Sequence, residues 1–308
     1  MDNLTNYHTH SLYCDGSASI EDFVKEAIRQ GFSSYGVSSH SPIPFDTCWN
    51  MNRSDLPAYL DEVHFIKKKY EGRIEIYCGL EIDYLGAEYN PSSPFFQELP
   101  LDYRIGSVHF LKTEEGYVDI DTAPKQFKET VFRYFDGNIR KLVEKYFDTM
   151  MQMIDTGGFD FVGHADKVSM NASSFLPGIT REHWYKSLIH EYFEFIAQKE
   201  CMIEINTKAW RSKRLFFPNR EHFGLIHNLH IPVVVNADTH HPSLVNDGRF
   251  DALKEMLSEG FTHVRQLSGG QWINVDNWLF IEYKFLKITG SICASDISDN
   301  SLFRIIFV

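Results

Sequence analysis

Met202-Ile203-Glu204-Ile205-Asn206 and Pro232-Val233-Val234-Val235-Asn236 are apolar runs of strand length, and residues 220–229 between them show helical spacing. A strand, a helix and a strand in that order indicate a parallel sheet or barrel with its helices outside. The alternation continues toward the N-terminus. Further strands are expected to end near Asn6-Tyr7-His8, Tyr35-Gly36-Val37-Ser38, Ile76-Tyr77-Cys78-Gly79-Leu80, Tyr103-Arg104-Ile105-Gly106-Ser107-Val108 and Phe159-Asp160-Phe161-Val162, seven in all. Helices are expected over 19–30, 54–70, 138–155, 181–199 and 248–258. Ser19 with Asp22 three positions on is an N-cap signal, and Gly31, Gly157 and Gly260 fall where helix-ending glycines belong.

Composition agrees with a globular fold. Of 308 residues, 43% are hydrophobic and 23% charged, which excludes a disordered chain, a collagen-like repeat and a small disulfide scaffold. The length allows two domains of ~150 residues or one large barrel. With 42 acidic against 30 basic residues the formal charge is -12, which argues against a protein that coats nucleic acid or an anionic membrane. Cys14, Cys48, Cys78, Cys201 and Cys293 are odd in number and form no CxxC pair, as expected of reduced thiols. Residues 1–8 have neither a basic nor an apolar leader character, and no apolar run approaches the ~18 residues of a membrane span, so a cytoplasmic location is expected.

Three connections are long, 39–56, 83–100 and 110–137, and each follows a strand, where long loops are usually functional. Residues 261–264 and 271–275 flank Ser268-Gly269-Gly270 and are expected to pair as a terminal hairpin. The expected organisation is one barrel domain over 1–275 and an extension over 276–308, whose apolar stretches 278–286 and 302–308 show no chemistry.

The fourteen histidines are spread unevenly over this pattern. His8, His10, His40, His109, His164 and His240 fall at the C-terminal ends of expected strands. By contrast His64, His183, His190, His222, His227 and His230 lie in, beside or at the end of helical stretches, His263 lies in the hairpin, and none is assigned a function. One strand-end histidine is more often structural than a ligand; recurrence at six strand ends is not explained that way. His8 and His10, two apart, share a face, as do Glu81 and Asp83, and Asp238 and His240. The carboxyl ends of parallel barrel strands converge on one mouth. The six histidines with Glu81, Asp238 and Asp15 would make a multi-metal cluster there.

His8-Thr9-His10, Ser39-His40, Gly79-Leu80-Glu81, Gly106-Ser107-Val108-His109, Gly163-His164-Ala165-Asp166 and Asn236-Ala237-Asp238-Thr239-His240 occur in the order of the motifs of the polymerase and histidinol phosphatase (PHP) superfamily. The chain resembles that superfamily from about residue 4 to 275. Asp102-Tyr103 and Glu204-Ile205-Asn206-Thr207 make it most similar to the histidinol-phosphate phosphatase branch. The resemblance implies an α/β fold, a distorted seven-stranded (β/α)7 barrel akin to the TIM barrel, with its metal site at the strand C-termini. It also implies two to three divalent transition-metal ions, zinc, iron or manganese. His8, His10, Glu81 and Asp238 would hold the first ion, and Glu81 would bridge to a second completed by His109 and His164. Asp15, His40 and His240 would take a third. Many relatives carry a histidine where this chain reads Tyr13-Cys14-Asp15-Gly16, which leaves that site with the Asp15 oxygen or with Cys14 as a competing soft ligand.

Such a cluster suits phosphomonoester hydrolysis. Two ions ~3.5–4 Å apart can hold a bridging hydroxide at neutral pH and offset charge on the attacking and leaving oxygens. Cationic side chains at the same mouth would add preorganised stabilisation. Lys167 in the His164 loop, and Lys208, Arg211 and Arg214 after the sixth strand, are so placed by topology. Arg211 is the preferred phosphate clamp, because relatives carry a basic residue after the Asn-Thr step and a guanidinium grips phosphate with two prongs. Asp238, His240 and Arg211 are thus the expected catalytic residues, and Arg211, Lys208, Asn206 and Lys167 the expected substrate contacts. The branch implies hydrolysis of L-histidinol phosphate to L-histidinol and phosphate, a step of histidine biosynthesis. Alternatives are a PHP phosphoesterase acting on nucleotides or other small phosphomonoesters, and a non-catalytic metal-binding regulatory protein. The expected partner is a small phosphorylated substrate, without nucleic acid or membrane; oligomeric state is not legible. Asp46, Asp83, Glu88, Asp119 and Asp121 are unranked partners for the substrate amine.

Overall fold

The strands that sequence predicts pair edge to edge around a common axis. The computed structural model describes residues 4–277; most of the expected extension lies outside the described residues. In chain order the elements are β1 (Thr5–Asn6), α1 (Ile20–Gln30), β2 (Ser34–Val37), α2 (Leu56–Lys69), β3 (Glu75–Asp83), α3 (Pro94–Gln97), β4 (Tyr103–Ser107), β5 (Phe110–Thr113), β6 (Gly116–Asp119), α4 (Pro124–Tyr134), α5 (Ile139–Thr156), β7 (Phe161–Val162), α6 (Val168–Phe175), α7 (His183–Gln198), β8 (Met202–Asn206), α8 (Trp210–Lys213), α9 (Phe223–Asn228), β9 (Val233–Asn236), α10 (Arg249–Ser258), β10 (His263–Ser268) and β11 (Gln271–Asp276).

Seven strands form one parallel sheet in the order β1-β2-β3-β4-β7-β8-β9. The seam between β9 and β1 is joined by side-chain and backbone hydrogen bonds together. Asn236 Oδ1 accepts from Tyr7 N at 2.8 Å and Asn6 Oδ1 from Ala237 N at 2.8 Å, and Thr9 bridges Thr239 just beyond. Seven parallel strands in a nearly closed TIM-like barrel match the expectation.

Helices start and stop where local chemistry directs. Ser19 Oγ accepts from Asp22 N at the head of α1, Gly31 ends it at φ 83, and Ile20, Phe23, Val24 and Ala27 bury one face. The 110–137 segment departs from the expected connection: it contains the antiparallel β5-β6 hairpin and α4. Each four-residue strand is too short to show a period, and α4 buries only Phe127 and Val131.

The N-terminal end of the barrel is filled by Tyr7, Tyr77, Tyr103, Ile105, Phe161, Met202, Val234 and Leu267, with Trp272 against them. Gly36 and Gly79 admit the Tyr103 ring; a Cβ at either would meet it at 2.3 or 2.4 Å. The terminal hairpin β10-β11 plugs this end, with Leu267 N donating to Tyr7 Oη at 2.9 Å and Trp272 Nε1 to Asp160 Oδ1 at 2.9 Å. The opposite end is left for chemistry. Among the described residues no helix is long and apolar enough to cross a membrane.

Candidate metal centre

Glu81, buried near the C-terminal end of β3, sits at the middle of the mouth and divides the histidines between its two oxygens. Oε2 lies 3.1 Å from His8 Nε2, 3.4 Å from His10 Nε2 and 3.0 Å from His40 Nδ1. Oε1 lies 2.8 Å from His164 Nε2 and 3.5 Å from His109 Nε2. His109 Nε2 and His164 Nε2 are themselves 3.1 Å apart. Asp238 Oδ1 approaches His10 Nε2 at 3.1 Å and His8 Nε2 at 3.8 Å. At the outer side Asp15 reaches His240 at 3.2 Å, His10 at 3.6 Å and His40 at 3.8 Å.

Three overlapping groups could each hold an ion: His8, His10 and Glu81; His40, Glu81 and His109; and His10, Asp15, His40 and His240. His10 and His40 thus stand between sites. The outer group contains Asp15 and not Cys14. The Cys14 thiol is 3.6 Å from His10 Nδ1, and burial raises its pKa.

The donor set fits metal ions by two observations. His8 Nε2, His10 Nε2, His40 Nδ1 and Asp238 Oδ1 are buried without a hydrogen-bond partner. Their separations from opposing ligand atoms, 3.0–3.4 Å for the closest, are those of atoms sharing one ion, since ~2.0–2.1 Å bonds put tetrahedral neighbours roughly 3.3 Å apart. The ligands differ in protonation: burial lowers His8 and His109, but Glu204, Asp238 and Glu81 around the first and Asp83 and Glu81 around the second outweigh it and raise both, whereas Glu81 and His10 stand in the form that binds an ion. Burial would raise Glu81, but His8, His40, His109 and the His164 hydrogen bond hold it well below the carboxylate range. Burial, with His240 and His40 alongside, pushes His10 down into the neutral form a ligand needs.

A second layer of carboxylates and amides aims these ligands. Glu204, fully buried in β8, accepts from His8 Nδ1 at 2.8 Å, from Asn236 Nδ2 and Asn206 Nδ2 at 2.9 Å, and from His164 N at 2.9 Å. Asp83 accepts from both His109 Nδ1 at 2.9 Å and His109 N at 3.0 Å, and Ser107 Oγ donates to Glu81 at 2.7 Å. His164 and Asp238 have positive φ, 25° and 45°, strain at a site that these bonds enforce. Sequence reasoning left Glu204 without a role; its signals were its place in the branch motif Glu204-Ile205-Asn206-Thr207 and a carboxylate inside an apolar strand.

The basic residues separate. Lys208 Nζ lies 3.3 Å from Asp238 Oδ1 and 3.3 Å from His240 Nε2. Burial lowers its pKa, but Asp238, Asp121, Asp15 and Glu81 outweigh this and raise it. Asn206 Nδ2 donates to Asp238 Oδ2 at 3.0 Å, so it positions a ligand. Lys167 is buried and paired with Asp121 at 3.0 Å. Arg211 is exposed on α8, and among the described residues it makes no hydrogen bond or ion pair with the ligands.

Comparison with known proteins agrees with this geometry. The model of the PHP domain matches residues 6–208. A histidinol-phosphatase of Bacillus subtilis is 30% identical over 222 residues, 66% of this chain and 80% of its own. The structure of a candidate histidinol phosphatase, hisK, from Listeria monocytogenes aligns with a TM-score of 0.73 at 23% identity over 80% of this chain and 98% of its own. A histidinol phosphate phosphatase from Lactococcus lactis, complexed with zinc, L-histidinol and phosphate, aligns at 0.66 and 19% identity over 87% and 98%. With the motif histidines converging on one mouth of the shared barrel, the chain is an enzyme of the PHP domain family, in its histidinol-phosphatase branch.

Proposed function

We propose that this enzyme is a metal-dependent phosphatase that hydrolyses L-histidinol phosphate to L-histidinol and phosphate. The observation that carries the reading is the division of buried imidazoles between the two oxygens of Glu81. Imidazole and carboxylate donors suit zinc, iron or manganese. His8, His10, Glu81 and Asp238 would hold one ion, Glu81 with His109 and His164 a second, and Asp15, His40 and His240 a third. Bound there, the ions would supply an activated water at neutral pH and offset charge on the phosphoryl oxygens.

The chain's own residues do the rest. Lys208, set between Asp238 and His240, offers an ammonium to a phosphoryl group arriving at the same ligands. Asn206 keeps Asp238 turned toward His10 and away from solvent. Exposed Arg211 is an outer cation that can attract a dianionic ester, whereas the charge of Lys167 is neutralised by Asp121. The name of the Bacillus subtilis relative and the ligands of the Lactococcus lactis protein support L-histidinol phosphate as substrate. Free cysteines fit work in the reducing cytoplasm, and the -12 charge fits a small substrate better than nucleic acid.

Phosphate release from a panel of L-histidinol phosphate, mononucleotides and sugar phosphates tests this. The highest kcat/KM is expected for L-histidinol phosphate, with activity lost to a chelator and restored by metal. Preference for a mononucleotide would overturn the substrate, and full activity without metal would overturn the chemistry.

A further inference from the structure

The loop carboxylates that sequence could not rank are separated by their surroundings. Asp83 is buried and committed to His109. Asp121 is paired with Lys167. Asp46 and Glu88 are exposed. Asp119, half-buried at the end of β6, makes no ion pair among the described residues: Oδ1 accepts from Asp121 N at 2.8 Å and Oδ2 from Trp49 Nε1 at 3.1 Å. Burial raises its pKa more than these bonds and nearby His109 lower it, as expected of a carboxylate that has lost water without gaining a cation.

Trp49 fixes where that carboxylate lies relative to the metal ligands. Its ring stands edge-on to His40 at 4.5 Å and to His109 at 5.2 Å, and lies flat on Phe110 at 5.2 Å with 7° between planes. Phe45 packs on Phe110 and stacks with Tyr117. Two segments far apart in sequence therefore meet as an aromatic wall beside the metal centre, with one unneutralised carboxylate held at the indole N–H.

From this juxtaposition we infer that Trp49 and Asp119 form the subsite for the cationic, non-phosphate end of the substrate, and so select phosphomonoesters bearing an ammonium or imidazolium near the ester oxygen. The metal ligands cannot supply that selection, because every phosphomonoester presents them with the same group. A cation at Asp119 would gain a charge-assisted hydrogen bond in a partly dehydrated place, and the aromatic wall would cover its apolar carbons. The inference deepens the proposed function and rests on it for the position of the phosphate.

The test compares L-histidinol phosphate with p-nitrophenyl phosphate, whose leaving group carries no cation, in wild type, Asp119→Asn and Trp49→Phe. Asp119→Asn should lower kcat/KM for L-histidinol phosphate about 10- to 100-fold, mainly through KM. It should leave p-nitrophenyl phosphate within about twofold, the scale below which no lost ionic contact is read, and metal content unchanged. Trp49→Phe keeps an aromatic ring, smaller than the indole, and loses the N–H, and should show a smaller loss in the same direction. L-histidinol should inhibit p-nitrophenyl phosphate hydrolysis with a Ki that rises at least about tenfold in Asp119→Asn. Equal losses on both substrates, no loss on either, or an unchanged Ki would overturn the subsite. If wild type cleaves p-nitrophenyl phosphate and not L-histidinol phosphate, the proposed substrate fails by itself. The subsite is then judged by whether Asp119→Asn selectively weakens phosphoethanolamine against glycerol phosphate, with a non-selective effect overturning it.

Discussion

Lys208 and Arg211 are three residues apart, and only the first meets the ligands. The cause is local: Asn206 Oδ1 accepts from Lys208 N at 3.0 Å, an Asx turn that folds the chain back over the strand end and turns Lys208 toward Asp238. Arg211 follows on α8, facing solvent. Lys208→Ala should keep the metals and lower kcat/KM by on the order of 10²–10³, the scale of one preorganised charged donor. Arg211→Ala should cost less than about tenfold, as an exposed charge that only attracts substrate. The reverse ranking in the same assay would restore Arg211 as the phosphate clamp. The ligands themselves were legible because histidine recurs at strand ends. Glu204 and Asp83 were not legible as positioning residues, since their work is a hydrogen bond to partners that only the fold supplies.

The elements divide the barrel into a working end and a plugged end. Trp272 on β11 closes the latter, edge-on to Tyr7, Tyr103 and Phe161. Trp272→Ala should destabilise by about 3 kcal/mol, read by denaturant unfolding, while kcat at 25 °C is retained because the site lies at the other end. Loss of metal without loss of stability would contradict that division. His222, buried before α9 against Phe193, makes a separate statement about pH. Burial lowers its pKa from 6.5 to about 4, outweighing the exposed Glu221 carboxylate 3.8 Å away. Between those values the unfolded chain takes a proton that the folded chain refuses, so stability falls as pH drops from 6.5 through 4. Relative to His222→Phe, wild type should lose on the order of 2–3 kcal/mol over that window. A pH-independent difference between the two would refute it. Sequence showed the seven strands as short apolar or alternating runs separated by helical spacing, clearest in β8 and β9 and faintest in the two-residue β1. It missed β5, β6 and α4, whose short or half-exposed faces carry no clear period.

At the scale of the molecule, one carboxylate at the centre of the mouth joins histidines from position 8 to position 164, and Asp238 and His240 from the far side of the barrel meet the same cluster through His10 and Asp15. Net charge and composition could not assemble the site; the barrel topology did that, by bringing His8 within 3.1 Å of Glu81 and within reach of Asp238. If Glu81 bridges two ions, its charge and both of its oxygens are needed at once. Elemental analysis of purified wild type and Glu81→Gln, beside His183→Gln on the outer helix α7, tests this most directly. Wild type and the His183 variant should carry the same two to three equivalents of divalent transition metal, about the number that the ligand groups allow. Glu81→Gln should lose more than one equivalent together with nearly all phosphatase activity. Unchanged metal content in Glu81→Gln would contradict the bridged cluster.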